Sequence, residues 1–101
     1  MPGRSIRDDS GIEFLLKAVL EIRNVDEAYD FFNDLCTVTE LKTMAQRLVV
    51  AKMLSSKCVY SEIAKTTGAS TATISRVNRS LNYGENGYDV VFERLAEKGE
   101  I

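Results

Sequence analysis

Residues 60–81, YSEIAKTTGASTATISRVNRSL, contain the glycine that most constrains what this chain can fold into. Gly68 stands between two short helix-forming runs, where a left-handed residue ends one helix and frees the chain to begin another. Ala64 lies four residues before it, where a small side chain lets two helices cross closely, and Ile63 lies five before it. Ile74 and Val77 follow it by six and nine residues and pin the second helix onto the first. Serine and threonine are mediocre helix formers. Ile74, Val77 and Leu81 nevertheless fall at i, i+3 and i+7, the inner stripe of a helix. Two short helices joined by a turn containing glycine outline a helix-turn-helix, expected over about 60–82. An ordinary helical hairpin has the same outline. Thr67 and Ala69, beside the glycine, fit the motif less well because larger aliphatics usually stand there, and Val59 is a poor N-terminal cap.

The outer face of the second helix carries the functional signal. Ser70, Thr71, Ala72, Ser75 and Arg79 face away from the apolar stripe. Small polar side chains at an exposed N-terminal end let a helix enter the major groove of DNA without steric conflict. Base-edge contacts are expected from Thr71, Ala72 and Ser75, whose hydroxyls and methyls suit base edges and thymine. Phosphate contacts are expected from Lys65, Arg79, Ser70 and Lys57, aided by the backbone N–H groups of the helix N-terminus.

A net charge of −2 is unpromising for such a partner, but its distribution is not. Residues 1–40 carry four Lys/Arg against nine Asp/Glu. Residues 41–82 carry seven against Glu62 alone, and residues 83–101 carry two against five. A basic middle between acidic ends suits a DNA-facing module. A chance cluster of solvated charges is the plainer alternative.

Every strong period elsewhere is helical. Ser10-Gly11-Ile12-Glu13 reads as a capping box before a stripe of Phe14, Leu15, Ala18, Val19 and Ile22, ending near Arg23. Asp26 is the expected cap of a second helix carrying Tyr29, Phe32, Leu35 and Cys36. Thr37-Val38-Thr39-Glu40 opens a longer helix with Leu41, Met44, Ala45, Leu48, Val49 or Ala51, and Met53, broken by SSK at 55–57. Ser70 caps the helix that runs to about Asn82, and NYGENG at 82–87 is a loop. Tyr88, Val91, Phe92 and Leu95 mark a last helix, after which EKGEI frays. The expectation is an all-α chain of six short helices forming a single domain over 1–101.

Other classes are excluded by what is missing. No apolar run is long enough to span a bilayer. MPGRSIRDDSG has no apolar leader region, so a reducing cytoplasm is the default compartment. Cys36 and Cys58 make neither a disulfide framework nor a metal pair, and no histidine is present, so no metal site is expected. The carboxylates are scattered and no nucleophile has a base beside it, which argues against an enzyme. Cys36 is expected in the core, and Tyr83 and Tyr88 are expected to pack. Phe31 and Phe32 are adjacent, so one must leave its own helix's core, which suits an interface.

TVTELKTMAQRLVVAKML followed by YSEIAKTTGASTATISRVNRSLNYG resembles the tryptophan-repressor superfamily, in its YerC/YecD-type branch. The resemblance is strongest over residues 35–84, with FFNDLC in support, and AQR together with GASTATISR makes it specific. It implies an intertwined, all-helical homodimer that binds operator DNA through the second helix of each hairpin. In the tryptophan repressor two arginines sandwich the indole of the corepressor. Arg47 and Arg76 match them, and Thr37 and Ser80 match polar neighbours of the ligand. The repressor has glycine directly after its second arginine. Here Val77 stands there, a β-branched side chain expected to fill the indole's space, so no cofactor is expected and any small-molecule effector is unknown. Independently of the resemblance, Arg47 among Met44, Leu48 and Val50 suits a structural role, pairing with a carboxylate or capping carbonyls.

The expected function is that of a homodimeric, repressor-like transcriptional regulator with a DNA operator as partner. A helical protein-interaction module, docking the same hairpin on RNA polymerase or another regulator, is the alternative from a different class.

Overall fold

The computed structural model describes residues 6–101. The reading of the extreme N-terminus as leaderless rests partly on residues 1–5, which lie outside them. The described residues form a short 3₁₀ turn, Ile6–Asp8, and six α-helices, with no strand among them. The helices are α1 (Ser10–Val19), α2 (Val25–Leu35), α3 (Val38–Ser55), α4 (Tyr60–Thr67), α5 (Thr71–Tyr83) and α6 (Gly87–Glu97). The chain divides into two compact units, one ending at Val38 and one spanning Thr39–Ile101.

In the first unit the helices sit where expected, but neighbouring residues cap them. Asp9, not Ser10, caps α1: its carboxylate accepts from the N–H groups of Gly11 at 2.8 Å and Ile12 at 3.1 Å. A charged oxygen that takes two orphan donors at the positive end of a helix outcompetes a hydroxyl. Asn24, not Asp26, caps α2, accepting from Glu27 N–H at 2.8 Å. The Glu27 carboxylate reaches back to Arg23 N–H at 3.0 Å, and Asp26 is left in the first turn. α1 stops at Val19 rather than near Arg23, because Glu21 and Ile22 close tighter bonds to the carbonyls of Ala18 and Val19.

In the second unit the helix ends are built from backbone geometry. Gly68 adopts φ +74°, and its N–H bonds to the Ala64 carbonyl at 2.9 Å, ending α4 as the sequence requires. At the end of α3 Lys57 takes the same left-handed conformation, with φ +67°. Its N–H bonds to Leu54 O at 3.0 Å and that of Cys58 to Met53 O at 3.0 Å. This is a Schellman end with lysine at the position glycine usually holds. The tail beyond α6 does not fray as expected. Gly99 N–H bonds to Ala96 O at 3.0 Å and Glu100 N–H to Leu95 O at 2.9 Å, closing the same motif.

The core of the second unit is Val50, Ala51, Ile63, Ala69, Ile74 and Val77. Met53, Leu54, Cys58, Ala64, Tyr88 and Phe92 pack around it, with the Tyr88 and Phe92 rings stacked at 5.9 Å. The expected α3 stripe is therefore only partly the buried one. Gln46, Val50 and Leu54 follow each other at i+4 on the inner face. Leu41, Met44 and Leu48 follow at i+3 and i+7 on another face, and Met44, Leu48 and Val49 stay exposed. Helix α3 is apolar on two sides, and its own unit covers one of them and only the Ala51 end of the other.

Gly68 and Lys57 share one backbone geometry with opposite residues, so substitutions there should have opposite signs. Gly68→Ala should cost about 1–2 kcal/mol from the left-handed penalty. Lys57→Gly should raise stability by up to about 1 kcal/mol, once glycine's extra unfolded-state entropy is set against the strain relieved. Urea denaturation of both variants measures this, and a loss in both would contradict it.

Candidate nucleic-acid interface

Helix α5 separates cleanly into two faces. Ile74 and Val77 are buried, and Leu81 is half-buried. Thr71, Ala72, Ser75 and Arg79 are all exposed, as the spacing requires. Ser70 is exposed as well, but its hydroxyl is engaged. It accepts from Thr73 N–H at 3.1 Å and donates to Thr73 Oγ1 at 3.1 Å. Ser70 therefore acts first as the cap that fixes the first turn, and its phosphate role becomes one of aiming the N–H groups behind it. Lys65 is exposed in the last turn of α4 and Lys57 at the end of α3.

Two polar features escaped the residue pattern. Asn82 Nδ2 donates to Asn78 O at 2.9 Å and to Asn78 Oδ1 at 3.1 Å. Thr71, Asn78 and Asn82, at i, i+7 and i+11, continue one stripe along α5. Lys57, Cys58, Asn78, Asn82 and Asp89 line a polar cavity of about 520 Å³ beside it. The turn itself holds the second feature. Thr67 Oγ1 donates to Ile63 O at 2.8 Å and accepts from Ala69 N–H at 3.1 Å, while Gln46 Nε2 donates to Thr67 O at 3.1 Å. Thr67 thus secures by hydrogen bonds what a large aliphatic would secure by packing. No spacing rule reveals such a bond, because its partners lie 21 residues apart. Val59 begins α4 with no side-chain cap, as its identity implies.

Six helices among the described residues, with a glycine-turned pair that presents a small, polar outer face, make the arrangement of a helix-turn-helix protein. The chain belongs to the Trp repressor protein family, whose model matches residues 10–96. It is 46% identical to YerC of Bacillus subtilis over 86 residues, covering 85% of this chain and 83% of that protein. Its fold matches the crystal structure of a TrpR-like protein from Eubacterium eligens with a TM-score of 0.86 and 57% identity, over 89% of this chain and 93% of that one. A candidate Trp repressor from Staphylococcus aureus matches with a TM-score of 0.85 and 41% identity, over 92% and 96% of the two chains.

Of the residues matched to the corepressor site, Thr37 belongs to the first unit, and Arg47, Arg76 and Ser80 to the second. Arg47 and Arg76 are exposed, and neither forms an ion pair among the described residues, so the expected carboxylate partner of Arg47 is not found. Ser80 lines a largely apolar cavity of about 510 Å³ with Leu48, Gly84, Glu85, Tyr88 and Val91. Val77 is 3% exposed and belongs to the core with Ile63 and Ile74.

L-Tryptophan is therefore expected to bind no more tightly than millimolar. Val77→Gly should not restore binding, and should cost about 3 kcal/mol through the lost core contacts and helix propensity. Calorimetry on both proteins checks this, and a micromolar dissociation constant for either would contradict it.

Proposed function

We propose that the protein is a sequence-specific, repressor-like transcriptional regulator that binds operator DNA as a homodimer in the cytoplasm, without catalytic activity. The observation carrying this reading is the two-faced α5, with Ile74 and Val77 buried beneath exposed Thr71, Ala72, Ser75 and Arg79. Such a helix reads base edges from its first turn and touches phosphates further along. Residues 41–82, which contain it, hold the chain's excess of basic side chains. Lys65 and Lys57 extend the proposed phosphate contacts, and Ser70 aims the first-turn N–H groups. Membership of a family named for a repressor supports the same reading. Thr37, Arg47, Arg76 and Ser80 stay as the candidate effector positions, with the effector's chemistry unassigned.

Unpaired apolar surface supports the homodimer. Phe14, Leu20 and Val25 of the first unit are 75%, 80% and 84% exposed. In the second unit Leu48, Val49 and Val91 are 44%, 47% and 48% exposed. Monomeric proteins rarely expose apolar area on this scale. A second copy offering the same faces covers them by two-fold symmetry. Sedimentation at micromolar concentration should show a species of twice the 11.3 kDa chain mass, and a single-chain species alone would remove the dimer.

The reading of DNA divides between two side chains. Thr71→Ala should lose about 1–3 kcal/mol on the preferred duplex and little on a scrambled one. Arg79→Ala should weaken both alike and lower the salt slope by about one unit. The preferred site should be two-fold symmetric, with half-sites about 34 Å apart. Titrations of both variants on both duplexes across a salt series decide the matter. Equal losses for Thr71→Ala on both duplexes, or no change for Arg79→Ala, favour a protein-docking module instead.

A further inference from the structure

We infer that Gln46 is a positioning residue that sets the angle at which the helix pair is held on α3, and with it the aim of α5. The inference rests on the DNA-reading function proposed above. Gln46 is half-buried in the middle of α3, and its Nε2 donates to the Thr67 carbonyl at 3.1 Å. That carbonyl is one of the last four of α4, which a helix leaves without an internal partner. The bond spans 21 residues of sequence, whereas the caps and turns around it close within four.

The same residue is held from two further directions. Thr67 Oγ1 donates to Ile63 O at 2.8 Å and receives Ala69 N–H at 3.1 Å. Residues 63–69 thus form one hydrogen-bonded unit, and Gln46 ties that unit to α3. A hydrogen bond is directional where an apolar contact is not, so it fixes orientation as well as distance. The core packs against one side of this turn, and the bond holds the other, open side. Lys42, Ala45, Val49 and Thr66 line, with Gln46 and Thr67, an open cavity of about 410 Å³ beside the link. Helix α5 begins at Thr71, just beyond this turn. A tilt of about 10° at the turn moves Ser75, about 6 Å along the helix, by about 1 Å, and Arg79, about 12 Å along, by about 2 Å. Shifts of that size are enough to spoil the distance and angle of a hydrogen bond.

The test uses the full chain and three variants. Gln46→Leu removes the donor and keeps an apolar side chain of similar size. Gln46→Glu keeps the shape and offers only acceptors, and Gln46→Lys restores a donor of similar reach. Amide hydrogen exchange is followed at Gly68 and Ala69, with Val50 and Ala51 as internal references. Affinity is measured for a duplex selected from random sequence by the wild-type protein, and for its scrambled version. Gln46→Leu and Gln46→Glu should speed exchange at Gly68 and Ala69 by about five- to tenfold with the references unchanged, and lower the specific-to-scrambled ratio by a similar factor. Gln46→Lys should recover most of both. Unchanged exchange at the turn overturns the inference. Equal acceleration at Val50 and Ala51 does so too, since it marks a general loss of stability. Faster exchange with an unchanged specificity ratio leaves a link that does not position α5, and also overturns it. If the wild-type protein selects no duplex, the DNA reading falls by itself, while exchange still decides whether Gln46 holds the turn.

Discussion

The burial of Ile63, Ile74 and Val77 against Val50 and Ala51 is the constraint on which the rest of the second unit depends. Each large aliphatic withdrawn there is worth about 1.5–3 kcal/mol. Only one arrangement of the chain allows it: α4 must end at Gly68, reverse through a left-handed residue, and return as α5 with the Ile74 side inward. Turning that side inward turns Thr71, Ser75 and Arg79 outward in the same step. The exposed face therefore takes no part in the core. Its composition answers only to what it meets outside the unit, which is why a stripe of small hydroxyls and one arginine carries information.

Helix α3 carries part of the surface that the proposed dimer would cover. A helix in a two-layer protein needs one apolar stripe. This one has two, and the unit buries Val50 and Ala51 while Met44, Leu48 and Val49 stay exposed. Helices α1 and α2 repeat the problem in the first unit, where Phe14, Leu20, Val25 and Tyr29 lie open although each helix is well capped. Capping satisfies the backbone but buries nothing. Secondary structure and tertiary stability are thus separated in these helices: local sequence specifies them, and on the proposed function a second copy stabilises them.

Much of this was legible in advance, for physical reasons that differ from element to element. Gly68 announced the end of α4 because only a left-handed residue can close that turn so tightly, and Ser70 announced α5 because its hydroxyl has one obvious use. The caps at Asp9 and Asn24 were missed by one and two residues, because several adjacent polar side chains can compete for the same N–H groups. The inner face of α3 was misjudged because periodicity cannot rank two apolar stripes on one helix. Tyr83, expected to pack, is 86% exposed, since aromatic identity says nothing of direction at the last residue of a helix. Thr67 looked like a flaw and is a hydrogen-bonded joint, which could be seen only once Gln46 stood beside it.

Charge and packing also separate at the positions matched by resemblance to the tryptophan repressor's corepressor site. Val77 lies in the core, so the site beside Arg76 is committed to stability before any ligand arrives. Arg47 and Arg76 meanwhile remain exposed and without ion pairs among the described residues. On the proposed function, two such side chains within the basic middle of the chain add to its field over any phosphate backbone, with no ligand required. Residues matched to a ligand by position are thereby left with an electrostatic task that does not depend on one. A regulator arranged in this way would be governed by how much of it is present and how well the turn at Gly68 holds α5, more than by the occupancy of a pocket.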